Sequence, residues 1–244
     1  MTSVCLATYN GAAHLHEQLQ SILHQLDAGD EVIISDDGST DDTLAIATAI
    51  AATSATPIRI VSNTGEHGYT ANFEHALRHA QGDYIFLADQ DDVWLPNKVS
   101  TMLQALRDEG YDLCVSNASI TDAQLRVTHP DYFSARGVHT GLLGNILKFG
   151  YLGCCIALTR RQLQRALPFP SRRRYCTHDN WLFLCAQLMG RVKVIPEPLM
   201  LYRRHDATST TGALNAHKPL HFRITYRLYL MWHLLLRTLR PTSA

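Results

Sequence analysis

Four short apolar runs in the first ninety residues, each followed at once by a polar, Gly-containing or acidic tip, constrain this chain more than any other feature. The runs are Val4-Cys5-Leu6-Ala7, Val32-Ile33-Ile34-Ser35, Ile58-Arg59-Ile60-Val61 and Tyr84-Ile85-Phe86-Leu87-Ala88. Helix-period patterns separate them over 14–26, 42–52 and 71–80, and a further one, 97–109, precedes a fifth run at 113–116. Strands alternating with helices predict an α/β fold with a mostly parallel, Rossmann-like sheet and flanking helices. In such sheets ligands bind outside the carboxyl ends of the strands. The residues to inspect are therefore Thr8-Tyr9-Asn10-Gly11, Asp36-Asp37-Gly38-Ser39, Asn63-Thr64-Gly65 and Asp89-Gln90-Asp91-Asp92. Ser39 and Thr40 are placed to cap the second helix, with Asp41 and Asp42 at its positive end. Pro96 suits the first turn of the fourth.

The second half is less regular. A stretch over 121–141, rich in His, Pro, Asp and Gly, reads as a loop or lid. Apolar runs return at 152–158, 181–188, 192–195 and 199–202. The organisation expected is a main domain over 1–212, with a nucleotide-binding half (1–117) and an acceptor-binding half (118–212). A C-terminal helical tail (213–244) follows. Met1 runs within two residues into an apolar strand with no charged leader, so no signal peptide is expected and the cytoplasm is the default compartment. The six cysteines form no CxxC pair and sit mostly in apolar runs, which reads as reduced core thiols. Lys plus Arg equals Asp plus Glu, 22 each, so no overall field favours nucleic acid. Any anion site must be local.

Asp89, Asp91 and Asp92 crowd three carboxylates into four residues at a strand's carboxyl end. Like charges that close repel unless a cation or donors neutralise them. Hard cations such as Mg²⁺ or Mn²⁺ take oxygen ligands and often need few protein carboxylates when diphosphate oxygens complete the shell. The plainer reading is a solvated turn, which the second acidic pair, Asp36-Asp37, argues against. A carboxylate there can accept from a base N–H or a ribose hydroxyl, or it can serve only the helix cap.

Taken in order, these residues carry a resemblance. Ala7-Thr8-Tyr9-Asn10-Gly11, Ser35-Asp36-Asp37-Gly38-Ser39 and Gly82-Asp83-Tyr84-Ile85-Phe86-Leu87-Ala88-Asp89-Gln90-Asp91-Asp92 resemble the inverting family 2 glycosyltransferases of the GT-A fold. Thr177-His178-Asp179-Asn180-Trp181 and Tyr202-Arg203-Arg204-His205 are similar to rhamnosyltransferase-like bacterial members. The resemblance spans roughly 3–212. It implies that Asp37 binds the nucleobase, with Tyr9 stacking nearby and Thr8 lining the pocket. It implies that Asp89 meets the ribose or sugar, that Asp91 ligates the metal on the diphosphate, and that Asp92 assists by hydrogen bonding. Asp179 matches the general base, and His205 a late histidine reaching the metal or diphosphate. Asn72 and His67 fall in a stretch near the donor, and Arg204, with Arg203, is placed for the diphosphate. One base and no carboxylate nucleophile implies inversion at the anomeric carbon.

The implied cofactor is Mg²⁺ or Mn²⁺, and the implied donor a nucleotide-diphosphate sugar: dTDP-rhamnose, with a UDP-sugar as rival. The acceptor would be a hydroxyl of a glycan or lipid-linked sugar in cell-surface polysaccharide synthesis. Trp181 reads as core or as an acceptor platform, His178 as a neighbour of the base. Arg172-Arg173-Arg174 reads as a solvated loop or a contact for a phosphorylated acceptor. The tail over 217–240 is too short an apolar run to span a bilayer. It reads as a helix docked on the domain or as one lying at a membrane surface. Two other functions compete: a sugar nucleotidyltransferase, disfavoured by one Gly and no Lys or Arg in the first loop, and a non-catalytic carbohydrate-binding module.

Overall fold

The runs at 4–7, 32–35 and 85–88 become strands buried on both faces, as parallel strands covered by helices require, while 58–61, at the sheet's edge, is half-buried. The computed structural model describes residues 1–204 and 219–239. Its first half comprises β1 (Thr2–Thr8), α1 (Leu15–Leu23), β2 (Glu31–Asp36), α2 (Thr43–Ala51), β3 (Ile58–Ser62), α3 (Tyr69–His79) and β4 (Tyr84–Asp89). Then come β5 (Val93–Trp94), α4 (Lys98–Leu103, continued by a wider turn over Gln104–Asp108), β6 (Leu113–Thr121), β7 (Val127–His129), α5 (Tyr132–Arg136) and α6 (Leu142–Leu147). The chain continues through β8 (Ile156–Thr159), α7 (Arg160–Ala166), α8 (His178–Met189), β9 (Val192–Arg203) and α9 (Leu220–Thr238). One nine-stranded sheet, ordered β3-β2-β1-β4-β8-β6-β9-β5 with β7 beside β6, runs through both halves.

Strands β1 to β4 are mutually parallel and β6 is parallel to β9, while β8 lies antiparallel between β4 and β6. Six strands therefore share one direction. Connections leave β1 toward β2 on one side and return to β4 on the other, so β1 and β4 flank the switch point where ligands bind in open α/β sheets. Leu15, Gln18, Leu19 and Ile22 lie on the buried face of α1 at spacings of three and four, as an amphipathic helix demands. Most of α8 is buried, and it packs against α3, α6, α7 and α9. All six cysteines are buried and unpaired.

Several expectations need correction. Asp42, not Ser39 or Thr40, occupies the N-cap of α2, and the Asp41 carboxylate accepts from Thr43 N at 3.1 Å. Ser39 is instead spent on Asp36 and on Asn10 N. Pro96 lies just outside α4, whose N-cap is Asn97. The 121–141 stretch is not all loop: it holds β7 and the short α5, capped by Asp131. The two late apolar runs form one strand, β9, despite Pro196 and Pro198. Proline cannot donate to a ladder. Here the pairing with β6 shifts register around Asn117, whose side-chain amide donates to Pro196 O at 3.0 Å.

Candidate active site

The tips of β1, β2 and β4 are wired together before any ligand arrives. Asp36 is buried, and its carboxylate accepts from Thr8 Oγ1 (2.9 Å), Gly38 N (3.1 Å) and Ser39 N (2.8 Å). Gly38 sits at φ 88°, a left-handed conformation that glycine adopts without strain. The four amides of the first loop are all occupied. Tyr9 N donates to Gln90 Oε1 (2.8 Å), Asn10 N to Ser39 Oγ (2.9 Å), Gly11 N to Thr43 Oγ1 (2.8 Å) and Ala12 N to Asp41 (3.1 Å). Gln90 Nε2 returns a bond to Tyr9 O at 2.9 Å, closing a two-point clasp between β1 and β4. Gln90 was missed in the sequence. The available signal is a neutral amide, able to donate and accept, set inside an acidic run.

On the β2 side, Asp37 accepts from Asn63 Nδ2 (2.8 Å), His67 Nδ1 (3.0 Å) and Gly68 N (2.7 Å). A carboxylate offers about four acceptor sites, so these three bonds shape the β3–α3 loop and leave room for one further donor. Tyr9 is 58% exposed. Thr8 and Asn72 both lie inside the wall of the β1 and β2 tips. Thr8 is buried with its hydroxyl turned to Asp36. Asn72 is buried too, donating to Ser35 O (2.8 Å) and Thr8 O (3.2 Å) and accepting from Ser35 Oγ (2.6 Å). Both brace the tips of β1 and β2 through these bonds.

The β4 tip gathers charge. Burial first, then the charge of Asp91 and, more weakly, that of Asp179, push the Asp89 carboxyl up to about 7, against a lowering hydrogen bond from Cys154. Burial and the charges of Asp91 and Asp89 likewise hold Asp92 well above the usual carboxylate range. Asp92 Oδ1 accepts from Arg203 N at 3.1 Å, whereas its buried Oδ2 has no hydrogen-bond partner. Ligand atoms of Asp89, Asp92 and Cys154 lie within 4.8 Å of one another. A buried orphan oxygen and mutually repelling carboxylates fit a hard divalent cation, which would satisfy the one and relieve the other. Of the metal ligands that the resemblance implies, Asp91 stands half-buried beside Asp89 and Asp92, and His205 falls outside the described residues.

Arg203 and Arg204 divide in role. Arg203 is buried and committed to the fold, donating to Asp91 O (2.7 Å) and Ala123 O (2.6 Å) and pairing with Glu17. It ties β9 to the acidic tip and does not reach for a phosphate. Arg204 is half-buried at the end of β9, bonded to Tyr202 Oη at 3.1 Å. In the 172–174 loop, Arg173 pairs with Glu66 and Glu74 on the α3 side, while Arg172 and Arg174 remain exposed.

Asp179 opens α8 with Oδ1 held by the Thr177 hydroxyl and by Asn180 N at 2.8 Å. Its Oδ2 has no hydrogen-bond partner among the described residues. Its charge raises not only Asp89 but also Tyr69 and Tyr226, after burial in each case, so this carboxylate lies within electrostatic reach of the β4 tip. His178 is buried against Phe73, ring centroids 4.1 Å apart, and burial lowers its pKa. It is a neutral packing neighbour of Asp179. Trp181 is wholly buried and donates to Ala166 O at 2.8 Å, so it is core and no platform for a sugar.

The profile of the family described as "Glycosyl transferase family 2" matches residues 3–182. The dTDP-rhamnosyl transferase RfbG of Shigella flexneri is 28% identical over 221 residues, covering 82% of this chain and 72% of RfbG. Among solved structures, S. aureus TarS 1-349 in complex with UDP-GlcNAc superposes with a TM-score of 0.72 at 18% identity, covering 98% of this chain and 66% of that fragment. The mannosyltransferase PcManGT of Pyrobaculum calidifontis, in complex with GDP-Man and Mn2+, gives 0.67 at 20% identity, covering 97% and 72%. These structural likenesses establish the GT-A fold. The chain spans 60% of the length of another TarS 1-349 structure that it matches.

Proposed function

This chain belongs to glycosyltransferase family 2, and on that premise we propose that it is an inverting, metal-dependent transferase moving a sugar from a nucleotide diphosphate to an acceptor hydroxyl. What supports the reading is the acidic β4 tip, where ligand atoms of Asp89, Asp92 and Cys154 lie within 4.8 Å of one another, together with Asp179, whose charge acts on Asp89 and whose Oδ2 is left over for a proton. Asp37 accepts the nucleobase N–H with its remaining acceptor site, and Tyr9 stacks on the base. Asp89 meets the ribose or sugar, and Arg204 lies toward the diphosphate. Asp91, together with Asp89 and Asp92, would hold Mg²⁺ or Mn²⁺, and His205 would be a further ligand. The cation supplies charge neutralisation for the departing diphosphate. Asp179 takes the acceptor's proton through Oδ2, while Thr177 and Asn180 N fix its orientation through Oδ1. With no second carboxylate set to attack the sugar, displacement is single and the anomeric configuration inverts. dTDP-rhamnose is the proposed donor, following the likeness to RfbG, with a UDP-sugar as rival. The proposed acceptor is a glycan or lipid-linked hydroxyl of a cell-surface polysaccharide.

The nucleotidyltransferase alternative fails on hydrogen bonds. Triphosphate cradles use free backbone N–H groups at a loop preceding a helix. Here Tyr9, Asn10, Gly11 and Ala12 have already given theirs to side chains. Asp179→Asn and Asp91→Asn test the transferase reading. Asp179→Asn should keep donor binding, read by thermal shift, and lose transfer, typically ~10²–10⁴-fold for a lost general base. Asp91→Asn should weaken cation-dependent donor binding. Normal transfer by both variants would sink the mechanism.

A further inference from the structure

Helix α9 is docked along one side and bare along the other. Phe222, Leu230 and Leu234 are buried, and Tyr226 and Tyr229 pack on the core. Arg172 N donates to Tyr229 Oη at 3.0 Å, and Arg237 donates to the carbonyls of Leu167 and Pro168. The helix is thus held firmly. Its outer side nevertheless shows Leu220, Ile224, Leu228, Met231, Trp232, Leu235, Leu236 and Leu239, each between 37% and 71% exposed. At ~100° per residue these eight fall within an arc of about 160° that contains no Lys, Arg, Asp or Glu. Nineteen residues make the stripe about 28 Å long. Leu143 and Leu147 of α6, 76% and 60% exposed, extend it past Arg227, which donates to Leu147 O. Contiguous apolar surface on this scale marks an interaction site.

Charge identifies the occupant. From residue 207 to the last residue there are five Lys or Arg (218, 223, 227, 237 and 240) and no Asp or Glu, in a chain that is neutral overall. Exposed Arg223 borders the stripe, and exposed Arg174 stacks over Phe222 at 5.1 Å at the start of the helix. A second copy of this chain would bring the same acid-free basic border against itself. No helix among the described residues is long and apolar enough to cross a membrane. An interfacial helix with Leu, Met and Trp in the acyl boundary and arginines at phosphates has the observed arrangement. We propose that the outer face of α9, with Leu143 and Leu147, lies in the headgroup layer of an anionic bilayer. The inner face of the same helix meets the active site, since Asn180 Nδ2 donates to Tyr226 Oη at 3.4 Å next to Asp179. If the transferase reading holds, the base then opens at a fixed height above the lipid, suited to an acceptor carried on a lipid.

The test is flotation of the purified full chain with phosphatidylglycerol-containing vesicles and with pure phosphatidylcholine vesicles. Wild type should float with the anionic vesicles, at least ~10-fold more than with neutral ones, and should be released by high salt. Leu228→Glu/Trp232→Glu, both on the exposed face, should keep the wild-type melting temperature and lose flotation. Arg223→Gln/Arg227→Gln should lose only the preference for anionic lipid. Unchanged flotation of the Glu variant would overturn the proposal. So would absence of flotation together with a concentration-dependent dimer that the Glu variant breaks in sedimentation. Because no sugar donor is present, a negative outcome leaves the transferase reading standing, and an inactive Asp179→Asn protein that floats normally separates the two.

Discussion

Substituting Gly11 by alanine probes the clasp that joins the β1 and β4 tips. The glycine has an ordinary φ, so alanine fits the backbone, but its Cβ would overlap the side-chain amide of Gln90. Gln90 must swing away and give up its bonds of 2.8 and 2.9 Å to Tyr9. Each exposed bond of this kind contributes ~0.5–1 kcal/mol net, so the loss should be ~1–2 kcal/mol. For a chain of this size that is a fall of ~2–8 °C in melting temperature. Gln90→Ala removes the same two bonds from the other partner and should cost a similar amount. The double variant is the decisive one. With the Gln90 side chain gone, the methyl group added at position 11 has space, so Gly11→Ala/Gln90→Ala should be no less stable than Gln90→Ala alone. Differential scanning calorimetry on the four proteins measures the cycle, and donor thermal shift reports whether Tyr9 still presents its ring. Additive losses, or a Gly11→Ala protein as stable as wild type, would refute the steric account.

Asp36→Asn points an amide N–H₂ or a single carbonyl at four donors and should cost ~2–3 kcal/mol, seen in urea unfolding, with donor affinity reduced as the β2 turn loosens. Arg203→Ala leaves the carbonyls of Asp91 and Ala123 without their donor, while half-exposed Glu17 turns to water, and should destabilise by ~1–3 kcal/mol, whereas Arg203→Lys should recover only part because it lacks the planar fork. The Asp89 pKa, raised from ~3.9 unfolded to about 7 folded, means the native state keeps this proton longer. Its contribution to stability therefore declines as pH rises between ~4 and about 7. Mg²⁺ or Mn²⁺ should raise the melting temperature more at about pH 8 than at about pH 5, and Asp89→Asn should flatten both trends. Equal cation shifts at both pH values would show that these carboxylates are not the cation's ligands.

The strands of the first half were legible because buried parallel strands must be nearly continuous apolar runs, and Val4–Ala7 or Ile85–Ala88 admit little else. The acidic rim was legible because polar tips after each run fall on one edge whatever the details of packing. Which polar tip residue faces outward was not. Thr8 and Asn72 look like ligand contacts in sequence, yet their hydrogen-bonding partners, Asp36, Ser35 and the Thr8 carbonyl, lie 27 to 64 residues away. The place of Cys154 beside the carboxylates was illegible for the same reason. Cys154 reaches Asp89 and Asp92 only because β8 inserts beside β4, a pairing between strands far apart in the chain. Local rules also misplaced the α2 cap, since Ser39 was drawn to Asp36 and Asn10 instead.

The saturated amides of residues 9–12 carry a consequence for how such a rim diversifies. A loop whose backbone donors are all engaged by Gln90, Ser39, Thr43 and Asp41 enters recognition already frozen, and little ordering entropy remains to be lost there. On the proposed reading, discrimination among nucleotides then falls to side chains around it, Tyr9 on the loop and His67 on the neighbouring β3–α3 loop. Exchanging those two should retune the preferred base while the scaffold beneath stays intact.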